Sequence, residues 1–217
     1  MSVYAYKGPR RGTTGAADRA VLLAHGAAAD KESAVLKGVA NALAAVGVPS
    51  LRFDYPYRVA KKRAPDRPAV LERATRDAAA ELAKRSGLPA ERLVLGGRSM
   101  GGRYCSQVVG DEELPVPALG LLLLGYPLHP AGQPSRLRVD HFPQLRVPCL
   151  FVSGTRDSLA SRDALTKATK AIKGKVAFHW LDSADHGYRP LKASGRTLDD
   201  VITEVADVSV AWVTALK

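Results

Sequence analysis

Short apolar runs alternate along this chain with longer segments in which apolar residues recur every three or four positions. The runs fall at 20–24, 50–53, 92–95, 118–124, 147–152 and 176–181. Each is too brief for a helix of its own and is bounded by turn residues, so each predicts a strand. Between them the 3.6-residue period predicts helices over 31–46, 69–85 and 162–172 and one starting at Met100. A last helix starts behind Thr197, an N-cap with Asp200 three residues on. The first helix places Val35, Val39, Leu43 and Val46 on one face and stops at Gly47; the last places Leu198, Val201, Val205, Val208 and Trp212 towards the sheet.

Strands separated by helices in this way predict an α/β fold, a mostly parallel sheet with helices on both faces. The segments 54–68 and 125–146 are rich in turn residues, the second with four prolines, and are expected to be loops. Residues 7–19 are glycine-rich and short, so any N-terminal strand hairpin is abbreviated. No repeat, low-complexity tract or linker interrupts the pattern, and no segment is long enough for a large cap. The expectation is one domain over 1–217.

The candidate chemistry starts at Leu93-Val94-Leu95-Gly96-Gly97-Arg98-Ser99-Met100-Gly101-Gly102. A serine with glycine at both second neighbours, after a strand and before a helix, has the pattern of a nucleophile elbow. Glycine at 97 and 101 removes side chains that would collide in so tight a turn. The Ser99 hydroxyl then emerges at the carboxyl edge of the sheet, where open α/β sheets bind ligands. A serine needs a base, and the base an orienting acid. Asp157 follows a strand in Ser153-Gly154-Thr155-Arg156-Asp157, and His186 follows the last strand in Ala184-Asp185-His186-Gly187.

Other residues compete for these roles. His179 lies inside a strand and reads as a packed or edge histidine. His129 and His141 sit in the long loop and precede the acid. Asp182 and Asp185, so near His186, are expected to hold its loop. The strand 20–24 ends in His25-Gly26-Ala27, which matches a loop supplying one oxyanion donor. The backbone N–H groups of Ala27 and Met100 are the expected pair, with His25 bracing the loop.

The 217 residues are 46% hydrophobic, enough for one substantial core. The two cysteines, Cys105 and Cys149, are expected to be buried free thiols. The N-terminus lacks the apolar stretch of a secretory signal, and the apolar run at 118–124 is far short of a membrane span. On these features the chain is expected to be a soluble, cytoplasmic protein. A formal charge of +11 admits a polyanion-binding surface, but the basic residues are scattered and aromatics are 6%, so a solvated basic surface is favoured over nucleic acid. Arg58, Lys61, Lys62, Arg63 and Arg67 crowd the loop after the second strand, opposed there by Asp54 and Asp66. They either solvate the loop or form a basic rim that draws anionic substrates, with Tyr55 and Tyr57 as flat walls.

Across nearly its whole length the chain resembles the dienelactone-hydrolase-like branch of the α/β-hydrolase superfamily. It is similar, more narrowly, to bacterial hydrolases related to the testis-expressed protein 30 family and to subunit 3 of the nuclear NSL acetyltransferase complex. The motifs are Leu-Ala-His-Gly-Ala at 23–27, Leu-Arg-Phe-Asp-Tyr-Pro-Tyr at 51–57, Gly-Gly-Arg-Ser-Met-Gly-Gly-Arg at 96–103, Gly-Tyr-Pro-Leu-His-Pro at 125–130, Ser-Gly-Thr-Arg-Asp at 153–157 and Ala-Asp-His-Gly at 184–187. The resemblance implies a Ser99–His186–Asp157 triad acting on an ester, thioester or similar acyl bond of a small soluble substrate, with no metal or cofactor. Dienelactone hydrolases proper carry cysteine as the nucleophile, and this chain carries serine. The eukaryotic branch also admits an alternative, a non-catalytic interaction module on the same fold.

Overall fold

The computed structural model describes residues 2–10, 12 and 17–217; of the 7–19 stretch, residues 11 and 13–16 lie outside the described residues. The six apolar runs form β2 (Ala20–Ala24), β3 (Ser50–Phe53), β4 (Leu93–Arg98), β5 (Gly120–Leu124), β6 (Cys149–Arg156) and β7 (Val176–Asp185). One further strand, β1 (Tyr4–Lys7), stands where only an abbreviated hairpin was expected. The seven make one sheet in the order β1-β3-β2-β4-β5-β6-β7. Only β1 runs antiparallel, pairing Tyr4 with Phe53 and Lys7 with Ser50 along β3.

The helices are α1 (Ala34–Ala45), α2 (Pro56–Val59), α3 (Pro68–Ser86), α4 (Met100–Val109), α5 (Arg162–Ala168) and α6 (Leu198–Ala215). Alternation along β2 sorts them into two layers. Ala20, Leu22 and Ala24 pack with residues of α3, α4 and α5 on one face, whereas Val21 and Leu23 pack with α1 and α6 on the other. All five β2 side chains are fully buried, as the near-continuous apolar run of a central parallel strand requires. Every crossover leaves a strand's carboxyl end on the same edge, so the loops after β3, β4, β5, β6 and β7 converge there.

Several boundaries differ from the pattern, each for a local reason. β6 and β7 run past their apolar cores into polar residues because the ladder between them continues to Arg156 and Asp185, through a register shift after Gly154. The expected loop 54–68 contains α2, one turn begun by Pro56. Val46, expected on the buried face of α1, is 49% exposed because it lies beyond the last helical turn at the C-cap. Leu198, the first residue of α6, is also exposed; the buried stripe of that helix runs through Val201, Val205, Ser209 and Val213. Thr197 and Asp200 form the reciprocal capping box. Both cysteines are buried and free. Burial raises both thiol pKa values, that of Cys149 to about 12, so they stay protonated and inert.

Candidate active site

Ser99 follows β4 directly and is the N-cap of α4, with φ 50° and ψ −115°. A non-glycine residue held in this region stores about 1–3 kcal/mol of backbone strain, retained only where the surroundings enforce it. Here the enforcement comes from β2. A Cβ at Gly97 would lie 2.1 Å from the Ala24 carbonyl oxygen, and one at Gly101 2.3 Å from the same atom. The collisions are thus with the neighbouring strand rather than across the turn itself. We expect Gly101→Ala to destabilise the protein by about 3 kcal/mol, because backbone atoms of a central strand cannot yield. Urea denaturation checks this, and an unchanged midpoint would contradict the packing.

The turn leaves Ser99 half-buried at the carboxyl edge. Its Oγ lies 3.0 Å from His186 Nε2. Nδ1 of the same ring lies 2.8 Å from Asp157 Oδ2 and 3.0 Å from Oδ1. A carboxylate only accepts, so Nδ1 carries the imidazole proton and Nε2 is left to accept the Ser99 hydroxyl proton. The Asp157 side chain is fully buried, while that of His186 is 24% exposed. The acid is therefore shielded while the base remains reachable. Asp157 follows β6, and its Oδ1 also accepts from Leu159 N–H at 2.8 Å, which fixes the carboxylate plane.

Asp185 holds the turn that presents His186. Its Oδ1 accepts from Arg189 N–H at 2.9 Å, and its backbone bonds to Arg189 and Tyr188. Asp182 is exposed and bonded by the Ser183 hydroxyl. The other histidines are engaged elsewhere. His179 Nε2 lies 2.7 Å from Glu204 of α6. His129 Nδ1 donates to the Pro130 carbonyl at 2.8 Å. His141 Nε2 lies 2.8 Å from the Ser106 hydroxyl, and burial, aided by Arg103, lowers its pKa to about 4.

The loop after β2 closes against the elbow. A Cβ on Gly26 would sit 3.6 Å from the Ser99 Cβ, so Gly26-Ala27 passes directly beside the serine. Among the described residues, the N–H groups of Ala27 and Met100 donate to no protein acceptor. Met100 opens α4, where the helix leaves its first amides unsatisfied. His25 is fully buried and braces this loop. Its Nε2 accepts from Tyr55 N–H at 3.1 Å, so Nδ1 carries the proton, which it donates to the Gly26 carbonyl at 2.8 Å. Burial lowers its pKa and keeps it neutral.

Tyr55 and Tyr57 are not walls of an open site. Both are fully buried, Tyr55 against Thr75 at 3.0 Å and Tyr57 donating to the Ala27 carbonyl at 2.8 Å. Their pattern, two aromatics in a polar loop, is the same for a rim as for a brace, and only packing separates the two. Asp54 accepts from Lys31 N–H at 2.8 Å and pairs with its ammonium. Arg58 pairs with Asp30 at 3.7 Å, which leaves Lys61, Lys62, Arg63 and Arg67 as the exposed cations of the loop.

The family described as an alpha/beta hydrolase domain matches residues 17–214. Among solved structures, dienelactone hydrolase from Anabaena variabilis superposes with a TM-score of 0.73 at 18% identity, covering 98% of this chain and 91% of that one. A serine hydrolase without a lid from Xanthomonas campestris gives 0.69 at 15% identity, covering 99% and 90%. The esterase domain of a Rhodothermus marinus protein gives 0.65 at 20% identity, covering 95% and 90%. These likenesses carry the fold, including the lack of a large cap.

Proposed function

The chain belongs to the alpha/beta hydrolase domain family, and on that premise we propose that it is a serine hydrolase of small acyl substrates, with Ser99, His186 and Asp157 as its triad. One observation carries the proposal. An unbroken hydrogen-bonded chain runs from the Ser99 hydroxyl through His186 to a buried carboxylate, and it starts at a strained turn. Ser99 Oγ attacks the carbonyl carbon of an ester or thioester, and its proton passes to His186 Nε2. The oxyanion takes hydrogen bonds from Ala27 and Met100 N–H, which among the described residues have no other protein acceptor to give up. The leaving alcohol or thiol departs with the proton of His186. Water then attacks the acyl-enzyme, gives its proton to His186, and releases the acid and free Ser99.

The likeness to testis-expressed protein 30 and NSL complex subunit 3 is part of this proposal, and so is the cytoplasmic location. Among the described residues, no helix is long and apolar enough to cross a membrane. A small substrate suits a fold without a large cap. The test is stopped-flow mixing with 4-nitrophenyl esters of graded acyl length. The expected result is a burst of about one 4-nitrophenolate per chain followed by slower turnover, the signature of an accumulating acyl-enzyme. Neither burst nor turnover with any ester or thioester would favour the non-catalytic interaction module.

A further inference from the structure

Two arginines bracket the elbow in sequence, and they have different fates. Arg98 is buried: its guanidinium lies 4.2 Å over the Tyr188 ring and donates to the carbonyls of Leu124 at 3.3 Å and Gly125 at 3.4 Å. Arg103 instead lines a cavity of about 400 Å³ between α4, the first residue of α3 and the segment 130–141, with Tyr104, Pro68, Pro130, Arg138 and His141 around it. Its walls come from chain that leaves the carboxyl ends of β3, β4 and β5, the edge on which Ser99 lies. Arg103 N–H donates to the Ser99 carbonyl at 3.1 Å, so its Cα is one helical turn, a rise of about 6 Å, from the serine. A larger cavity of about 610 Å³ opens among Glu91, Ala118 and Val147, residues that precede β4, β5 and β6, and is therefore at the opposite edge.

The charge around the smaller cavity is unbalanced. Arg103, Arg136 and Arg138 face a single carboxylate, Asp140. Among the described residues none of the three is in an ion pair. Arg103 is half-buried and held rigidly, its Nη1 on Gln107 Oε1 at 3.0 Å and its guanidinium carbon 4.3 Å over the Tyr104 ring. Its Nε is buried with no acceptor. Arg138 is anchored through its backbone, which donates to Leu128 and accepts from the Tyr126 hydroxyl at 2.6 Å. Burial and the repulsion of Arg103 both lower its pKa. His141, neutral and already bonded to Ser106, adds no counter-charge.

Half-buried cations without an anionic partner are costly unless a bound anion completes them. A planar guanidinium fits a carboxylate or phosphoryl group with two parallel hydrogen bonds. Resting on the serine-hydrolase reading, we propose that this cavity is a subsite in which Arg103 and Arg138 bind a carboxylate or phosphoryl group carried by the acyl substrate, whose carbonyl sits at Ser99. The anionic preference then belongs to α4 and the 130–141 segment, and the exposed loop cations Lys61, Lys62 and Arg63 are not needed for it.

The experiment compares mono(4-nitrophenyl) adipate with 4-nitrophenyl hexanoate, esters of equal length that differ in one carboxylate. The ratio of their kcat/KM values is expected to favour adipate by about tenfold or more at low salt, as one charge-assisted pair provides, and to shrink as salt is added. Arg103→Met and, separately, Arg138→Met should bring the ratio close to unity, with Arg103→Lys between them and wild type. The triple change of Lys61, Lys62 and Arg63 to alanine should keep it. A ratio near unity in wild type, or one lost only in the triple variant, overturns the subsite. Calorimetry with adipate and with inorganic phosphate on Ser99→Ala reads the same cavity without turnover. Binding that disappears when Arg103→Met is added supports the subsite even if neither ester is hydrolysed, in which case the hydrolase reading alone falls. No heat with either anion, alongside hexanoate turnover, removes the subsite and leaves the hydrolase.

Discussion

Ser99→Ala is expected to lower ester turnover by about 10⁵-fold or more and to abolish covalent labelling by a fluorophosphonate, with His186→Ala close behind it. The labelling step needs the same parts as the proposed reaction. Ser99 Oγ forms a bond to phosphorus, fluoride leaves, and the serine proton goes to His186 Nε2, which stands 3.0 Å away. The two losses should be similar because neither residue works without the other: an alkoxide is not formed without the base, and the base has nothing to activate without the hydroxyl. Intact-mass spectrometry after probe treatment gives the first reading and initial rates the second. Labelling that persists in Ser99→Ala places the nucleophile elsewhere. Full-rate labelling of His186→Ala assigns the base to another group. Alanine keeps the Cβ and hence the strained turn, and it loses only one part-buried hydrogen bond to His186, so Ser99→Ala should stay folded and unfold within a few degrees of wild type.

How much of this was legible before the structure depends on what each residue's identity had to reveal. The central strands were legible because they are buried on both faces and read as unbroken apolar runs, as in Gly120–Leu124. β1 was not, because it is an edge strand of three half-buried residues and an exposed lysine, with no apolar run to detect. The ends of β6 and β7 were hidden because polar residues such as Ser153 and Asp185 are kept in the ladder by their neighbours, not by their own propensity. At the site, Ser99, Asp157 and His186 could be picked out because each stands in a turn just behind a strand, and strands of one parallel sheet deliver such turns to one edge.

The supporting residues were harder, for a physical reason. Tyr55 and Tyr57 looked like open walls because aromatics in a polar loop carry no mark of their direction. Burial against His25, at ring-centroid distances of 5.0 and 5.9 Å, turns them into the brace of the loop that carries Ala27. Arg98 and Arg103 are equivalent in the motif Gly-Arg-Ser-Met-Gly-Gly-Arg, yet one ends under Tyr188 and the other in a cavity. Helix geometry alone does not decide that difference; the chain packed against α4, from residues 130–141, does. The same limit explains the acid. Three aspartates stand within reach of His186 by sequence, and their positions along the chain argue for Asp157 without excluding Asp182 and Asp185.

Asp157→Asn is therefore expected to be the crippling change of the three, lowering kcat by about 10⁴-fold while Asp182→Asn and Asp185→Asn stay within a few-fold of wild type. Asparagine is the same size and can still accept from Leu159 N–H with its oxygen, so the β6 turn keeps its shape. What changes is the side turned to His186. An amide NH₂ there opposes the ring N–H, and the imidazole answers by moving its proton to Nε2. Nε2 then donates to Ser99 instead of accepting from it, and the serine keeps its proton. Loss of the buried negative charge also removes what stabilises the imidazolium formed in the reaction. Asp185→Asn meets neither difficulty, because its oxygen still accepts from Arg189 N–H and it makes no contact with the ring nitrogens. The three variants are compared by kcat with a 4-nitrophenyl ester, and by thermal unfolding to show that each remains folded. A severe loss in Asp185→Asn or Asp182→Asn, with Asp157→Asn near wild type, would transfer the orienting role to the turn that carries His186 and break the proposed triad at its acid.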